Sequence, residues 1–347
     1  MNIQTVNFKD LSFINVTNPG DLELKYLRKN FDFDTLHLED YLHKTQVPKI
    51  ETFKNYSLIV LDLPYINPGT SQNGSESQEI GSQKSSIRRI LDLPQATLSS
   101  VPLPAFPQLE KKRRILSAQM DLFVGKNYVV VLHDGTLAPI NDIFARCQKT
   151  LRNREEFMSE GPVFLAYRII DALVDACFPL INELSTIIDR VDKDLETKPS
   201  DKTLEDISTT RRNIVVFRTT VKTIIPLFRQ LEEGKHNQLN GRMQSFWGNI
   251  LDHAQKVWER LEDSQELIEG ISESNESYLT SKTNEIIKVL TIFSAIILPL
   301  NLLASIYGMN IKGLPFAEET SSLELIIFTM ILTSILMFVV FKIRRWF

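Results

Sequence analysis

Asn284 and Asn301 are full carboxamides, placed near and inside the longest uncharged stretch of the chain, Val289–Tyr307, 19 residues without a charge. Polar side chains in such a stretch normally face a bundle interior or a water-filled path. N-terminal to them, Glu259, Glu262, Glu266, Glu269, Glu273 and Glu276 recur at spacings of 3, 4, 3, 4 and 3, one stripe of a heptad pattern. The same register continues through Thr280, Thr283 and Asn284, Ile287, Leu290 and Thr291, Ser294, Leu298, Asn301, Ser305 and Gly308. It collects most of the polar and small residues of the apolar stretch. One helical face built this way would run from a carboxylate-lined vestibule into a neutral, polar pore.

The same residues have plainer uses. Glutamates on a long helix form a solvated face, and Glu259–Glu269 suit that role equally well. Serine and threonine in an apolar helix bond backbone carbonyls or a neighbouring helix. A straight helix drifts about 20° per heptad, so the stripe keeps phase only with supercoiling. One helix makes no pore, so the reading requires a homo-oligomer with this helix around the axis. Enzyme chemistry has little to stand on. His37, His43, His133, His236 and His253 form no HExxH or other close metal spacing, and no phosphate-binding glycine loop or GxSxG elbow is present.

The elements that must position the stripe follow from the apolar runs. Val289–Tyr307 and Leu325–Phe341, the latter 17 residues without a charge, each approach the roughly 30 Å of a bilayer core. The second offers only Thr329, Thr333 and Ser334 as polar groups, where a soluble helix shows a polar face every turn. The link between them is too short for a domain, so the pair forms a helical hairpin. Lys282 and Lys288 precede the first span, and Lys342, Arg344 and Arg345 follow the second. The link sets Lys312 against Glu318, Glu319 and Glu324. The positive-inside rule then places both ends in the cytoplasm and the link outside, in a multi-pass protein of the cell (inner) membrane. The opening MNIQTVNFKD lacks a basic region followed by an apolar run, so no signal peptide is expected.

The remaining 280 or so residues read as a soluble part. Leu11–Val16, Tyr56–Leu63, Met120–Val124 and Tyr128–His133 look like strands. Helical patterns fall at Asp21–Asn30, Thr35–Leu42 and Pro139–Leu151, and then at Pro162–Leu195 and Asp201–Glu233. A last pattern starts near Asn240 and runs into the first span, a helix of roughly 100 Å whose length calls for packing against other copies. Asn67–Ser86, rich in Gly, Ser and Gln, is expected to be a flexible insertion with a proline-rich continuation to Pro107. Lys111–Arg114 reads as a solvated strand lead-in. Composition agrees with a polar domain joined to a short membrane part: 43% hydrophobic, 24% charged, mean hydropathy −0.09. A net charge of −4 gives no reason to expect nucleic acid, and Cys147 and Cys177 exclude a disulfide scaffold.

Tyr307-Gly308-Met309-Asn310, at the outer end of the first of two C-terminal spans, resembles the signature of the CorA family of divalent metal transporters. Thr283-Asn284-Glu285, Lys288-Val289-Leu290-Thr291, Pro299-Leu300 and the basic, aromatic tail extend the likeness. Leu38-Glu39-Asp40, Val47-Pro48-Lys49 and Tyr56 do so near the N-terminus. The resemblance implies a homopentameric funnel: an α+β cytoplasmic domain, a long stalk helix and a two-helix C-terminal transmembrane hairpin. It divides the chain into residues 1–160 (α/β domain, insertion at about 67–107), 161–285 (helical region with the stalk), 286–308 (first, pore-lining span), 309–324 (outer loop), 325–341 (second span) and 342–347 (basic tail).

Carried over by position, Gly308, Met309 and Asn310 form the outer mouth and selectivity site. Asn284 is a polar ring at the inner pore, Ile287, Leu290 and Leu298 are apolar constrictions, and Asn301 is a ring between them. Thr291, Ser294 and Ser305 complete the lining. Glu273 and Glu276 border the cytoplasmic vestibule, and Lys342, Arg344 and Arg345 form a basic collar. The implied cargo is Mg²⁺, with Co²⁺ or Ni²⁺, and no cofactor. The implied partners are further copies of the chain, membrane lipid and divalent cations. A Zn²⁺ transporter of the ZntB type has the same signature and stays open. Mg²⁺ sheds water reluctantly, so neutral amides such as those of Asn310, Asn301 and Asn284 suit its hydrated form, and Leu298 could close the path by dewetting. Two departures stand out. Members gated by cytoplasmic Mg²⁺ often carry Arg-Asp-x-x-Asp-His on the stalk. Here Gly248–His253 puts Asn249 at the first aspartate, leaving Asn249, Asp252 and His253 as the candidate regulatory metal region. Lys312 follows the signature where acidic residues are usual, with Glu318 and Glu319 further along.

Overall fold

The longest strands of the protein pair with one another. The computed structural model describes residues 2–43, 47–67, 114–197, 201–309, 322–344 and 346. In it β4 (Tyr56–Asn67) and β5 (Arg114–Gly125) run antiparallel, in register from Tyr56 opposite Gly125 to Asn67 opposite Arg114. With β1 (Ile3–Phe8), β2 (Leu11–Thr17), β3 (Lys49–Thr52) and β6 (Tyr128–His133) they form one sheet of order β1-β2-β6-β5-β4-β3. β2 and β6 are parallel and the other neighbours antiparallel. Side chains alternate across a strand, so this sheet has two apolar faces, and helices cover both. One face meets α1 (Asp21–Asn30) and α2 (Thr35–His43) through Leu58, Val60, Phe123, Leu132, Leu27 and Tyr41. The other packs Leu61, Met120 and Val131 against α3 (Ala138–Lys149), α4 (Leu151–Met158) and the long helices that follow.

Those are α5 (Pro162–Asp175), α6 (Cys177–Thr197), α7 (Asp201–Glu232) and α8 (Gln244–Gly308), the last 65 residues long. α9 (Ser322–Ile343) ends the chain. α5 starts cleanly at Gly161, whose φ of 100° only glycine adopts easily, followed by Pro162 in the first turn.

The expected helix over Pro162–Leu195 breaks at Ala176. Pro179 has no N–H to offer the carbonyl of Asp175, which separates α5 from α6. β1 and β3, both short and at least half polar, had no counterpart in the sequence reading. β5 begins at Arg114, six residues before the strand expected at Met120, and Asn67, expected in the insertion, is the last residue of β4. The rest of the expected insertion lies outside the described residues. Two compact units result, Met1–Glu269 and Gly270–Phe347, with α8 contributing to both. Cys147 and Cys177 are free and buried.

Candidate ion path and metal-binding cluster

In the C-terminal unit, α8 and α9 are long and apolar enough to cross a membrane, and little of either is buried. Their burial is nevertheless patterned. From Lys282 to Gly308 the covered or half-covered residues of α8 are Lys288, Ile292, Ala295, Ile296, Pro299, Leu300, Leu303 and Tyr307. At 100° per residue these fall on one face. Asn284, Ile287, Leu290, Thr291, Ser294, Leu298, Asn301 and Ser305 are all exposed and fall on the opposite face, within an arc of about 120°. α9 likewise has one half-covered face, formed by Ile326, Met330, Thr333, Ser334, Met337 and Phe341. The stripe thus lies wholly within the part of α8 that the chain itself leaves bare, a part that also includes Ile286, Phe293, Ile297 and Leu302.

Within that stripe the groups differ. Thr291 donates its hydroxyl to the Ile287 carbonyl at 2.7 Å, which leaves oxygen lone pairs outward. The side-chain amides of Asn284 and Asn301 have no hydrogen-bond partner among the described residues. Gly308 and Met309 end the helix exposed, while Asn310 lies outside the described residues. Glu273 and Glu276 are exposed. Lower down the carboxylates are partly structural: Glu262 lies 3.5 Å from Arg218 of α7, and Glu269 accepts from Gln265 at 2.8 Å. Of the basic collar, Lys342 and Arg344 are exposed and Arg345 lies outside the described residues. Trp346 packs on Phe341 with ring centroids 5.5 Å apart.

A second candidate sits in the other unit. Asp171 and Asp175, one turn apart on α5, meet His253 of α8, and one ligand atom from each lies within 4.8 Å of the others. His253 Nδ1 is 3.1 Å from Asp175 Oδ1, and Phe178 stands edge-on to the imidazole at 5.8 Å. Burial, then the neighbouring Asp175 charge, pushes the Asp171 carboxyl up, and its Oδ1 is buried without a partner. Two hard carboxylates and an imidazole suit Mg²⁺, Co²⁺, Ni²⁺ or Zn²⁺. The aromatic wedge between the helices holds the cluster. Tyr167 of α5 packs on Phe246 at 5.0 Å and Trp247 at 6.0 Å, and Trp247 Nε1 donates to the Leu239 carbonyl at 2.9 Å.

The three stalk residues singled out in the sequence therefore separate. His253 joins the cluster. Asp252 turns away to Lys256 at 2.6 Å, which holds its carboxyl below the ordinary range. Asn249, one turn before His253, hydrogen-bonds the Tyr167 side chain. The sequence reading missed Asp171 and Asp175, although an i, i+4 pair of carboxylates in Asp-Ala-Leu-Val-Asp was there to be seen. His133, in contrast, is a packing histidine. It is buried, bonded through Nε2 to Asn15 Oδ1 at 2.9 Å, and burial pushes it down to about 4.

Residues 83–345 match the family described as CorA-like Mg²⁺ transporter protein. The chain belongs to the CorA family. It is 25% identical over 317 residues to the cobalt/magnesium transport protein CorA of Thermotoga maritima, covering 91% of this chain and 77% of that one. The solved CorA magnesium transporter of Methanocaldococcus jannaschii superposes with a TM-score of 0.71 at 16% identity, over 97% of this chain and 92% of that one. The ZntB cytoplasmic domain of Vibrio parahaemolyticus shares the fold of the soluble part, with a TM-score of 0.53 at 8% identity over 78% and 88% of the two chains. The protein is accordingly a CorA-family divalent cation transporter, with the soluble α/β domain, long helix and two C-terminal apolar helices of CorA.

Proposed function

We propose that this CorA relative passes hydrated Mg²⁺, and Co²⁺ or Ni²⁺ by the same route, through a central pore lined by the bare stripe of α8 in a homopentamer. The observation that carries the reading is the opposition of faces on α8. Residues half-covered within the chain lie on one side, and the amides, hydroxyls and apolar rings lie on the other. Around a symmetry axis that side becomes a lining of Asn284, Thr291, Ser294, Asn301 and Ser305, interrupted by Ile287, Leu290 and Leu298. Neutral oxygens exchange readily with the outer hydration shell of Mg²⁺, whereas a carboxylate cage would hold it. Gly308, Met309 and Asn310 form the selectivity mouth, outside the membrane by the positive-inside rule. Glu273 and Glu276 attract cations to the cytoplasmic end, and Lys342, Arg344 and Arg345 form a collar at the membrane face. The Asp171, Asp175 and His253 cluster is the regulatory site, where cytoplasmic cation biases the closed state.

The test is flux into liposomes with Mg²⁺, Co²⁺, Ni²⁺ and Zn²⁺ in parallel, together with the mass of the assembly. Mg²⁺ uptake by a pentamer supports the reading. Zn²⁺ uptake without Mg²⁺ would transfer the protein to the ZntB type, and absence of all flux would remove the pore.

A further inference from the structure

The sheet face beneath α1 and α2 carries one carboxyl that is sealed from solvent and half satisfied. Asp121, in β5, is 0% exposed. It accepts from Gln119 Nε2 at 2.7 Å through Oδ1, while Oδ2 is buried without a partner. Its strand neighbours in register are Val60 and Leu132, and the layer above it includes Leu38 and Tyr41 of α2. The charges that act on it come from three elements: Asp62 of β4 and Asp40 of α2 oppose ionisation, and Lys49 of β3 favours it. Lys49 is already committed to Glu51 at 3.2 Å. Tyr41 is kept neutral by burial first, then by Asp121 and Asp134 beyond β6. α1 faces the layer with Leu24 and Leu27, and its Glu23 carboxylate is held by the backbone N–H groups of Asn2 and Gly20. At the far end of α2, His37 meets the Tyr56 hydroxyl at 3.2 Å and Glu51 at 3.5 Å.

We propose that Asp121 is a proton-controlled latch for α2: protonated, it lets the helix lie closed on the sheet, and ionised, it loosens the helix so that water reaches the carboxylate. A charged carboxylate with one hydrogen bond in an apolar layer is unfavourable, and opening the layer is the available relief. Burial above all pushes Asp121 up to about 7 in the closed form, with Gln119 and Lys49 opposing and Asp62 and Asp40 adding. In the open form the carboxyl returns toward its ordinary 3.8. The closed form therefore binds more protons than the open one between these values. Opening becomes easier by roughly tenfold per pH unit through that window and levels off above about 7.

The experiment is hydrogen exchange of the α2 amides in the full-length protein in lipid nanodiscs, corrected for the intrinsic rate. Protection over residues 35–43 is expected to fall roughly tenfold from pH 5 to 6 and by only about twofold from pH 7 to 8. Asp121→Asn, or Asp121→Ser if the amide does not fold, should remove the slope. Asp62→Asn should keep the slope and bring the plateau to lower pH, because a repelling charge is gone. A flat wild type, a slope that survives in an Asp121 variant, or a plateau unmoved by Asp62→Asn would each overturn the latch.

Discussion

The two units solve opposite problems with the same kinds of side chain. In Met1–Glu269 the large apolar residues are spent inside: Trp247, Phe13, Phe123 and Phe228 are fully buried, and each has partners from several elements. In Gly270–Phe347, Leu298 is 68% exposed and Phe293 61%, with Ile286, Leu302 and Phe328 in the same condition. A soluble surface does not carry so much contiguous apolar area. The difference teaches where each unit's stability resides. The first is specified by contacts within the chain, whereas the second leaves its large apolar side chains to an environment that the chain itself does not supply.

The largest expected effect falls at the mouth of the second unit. Asn310→Ala should abolish uptake while leaving membrane insertion and assembly intact, since the proposed pore assigns this amide to the selectivity mouth. Wild-type flux from a correctly assembled mutant would break the assignment. The next sharpens the contrast directly. Trp247→Ala should destabilise the soluble transition by about 3–5 kcal/mol, the range for emptying a buried aromatic site. Phe293→Ala should leave that transition where it is, because its surroundings are not protein of the same chain. Calorimetry in detergent reads both, and equal shifts would erase the distinction between the units. A smaller effect is expected at Leu298→Ser, which should raise resting leak several-fold by wetting an apolar ring. Pro299 beside it leaves a backbone carbonyl one turn back without its donor, so the helix can flex there. Unchanged leak would move the gate to Ile287 or Leu290.

What the sequence disclosed follows the same division. The spans, the long helix and the stripe are written in one helix each, as uncharged runs and a heptad rhythm, so they can be read locally. α1 and α2 are equally legible from their apolar spacing. β1 and β3 are not, because IQTVNF and KIET become strands only when β2 and β4 offer them an edge. The candidate cluster of Asp171, Asp175 and His253 is hidden for a related reason. Asp175 and His253 are 78 residues apart and meet where α5 packs on α8 through Tyr167, Phe246 and Trp247. Resemblance to the family's stalk pattern groups Asn249, Asp252 and His253; within the chain Asp252 pairs with Lys256 and Asn249 with Tyr167, while His253 meets Asp175.

That last arrangement sets the smallest expected effect and the finest test of the comparison. Asn249 lies one turn from His253 on the same helix, near a cluster that already holds two carboxylates. Its amide adds no charge, so repulsion in the empty cluster and attraction for a divalent cation are both weaker than an aspartate would make them. Asn249→Asp should therefore tighten inhibition by internal Mg²⁺ about tenfold, equal to about 1.4 kcal/mol in cation binding. Asp171→Asn should loosen inhibition, and neither change should alter which ions pass, because the proposed selectivity mouth lies in the other unit. Flux measured against internal Mg²⁺ for the wild type and both variants decides it. If neither variant moves the inhibition curve, the cluster does not govern the pore. If either changes the order of ions carried, the separation of regulation in the first unit from conduction in the second is lost.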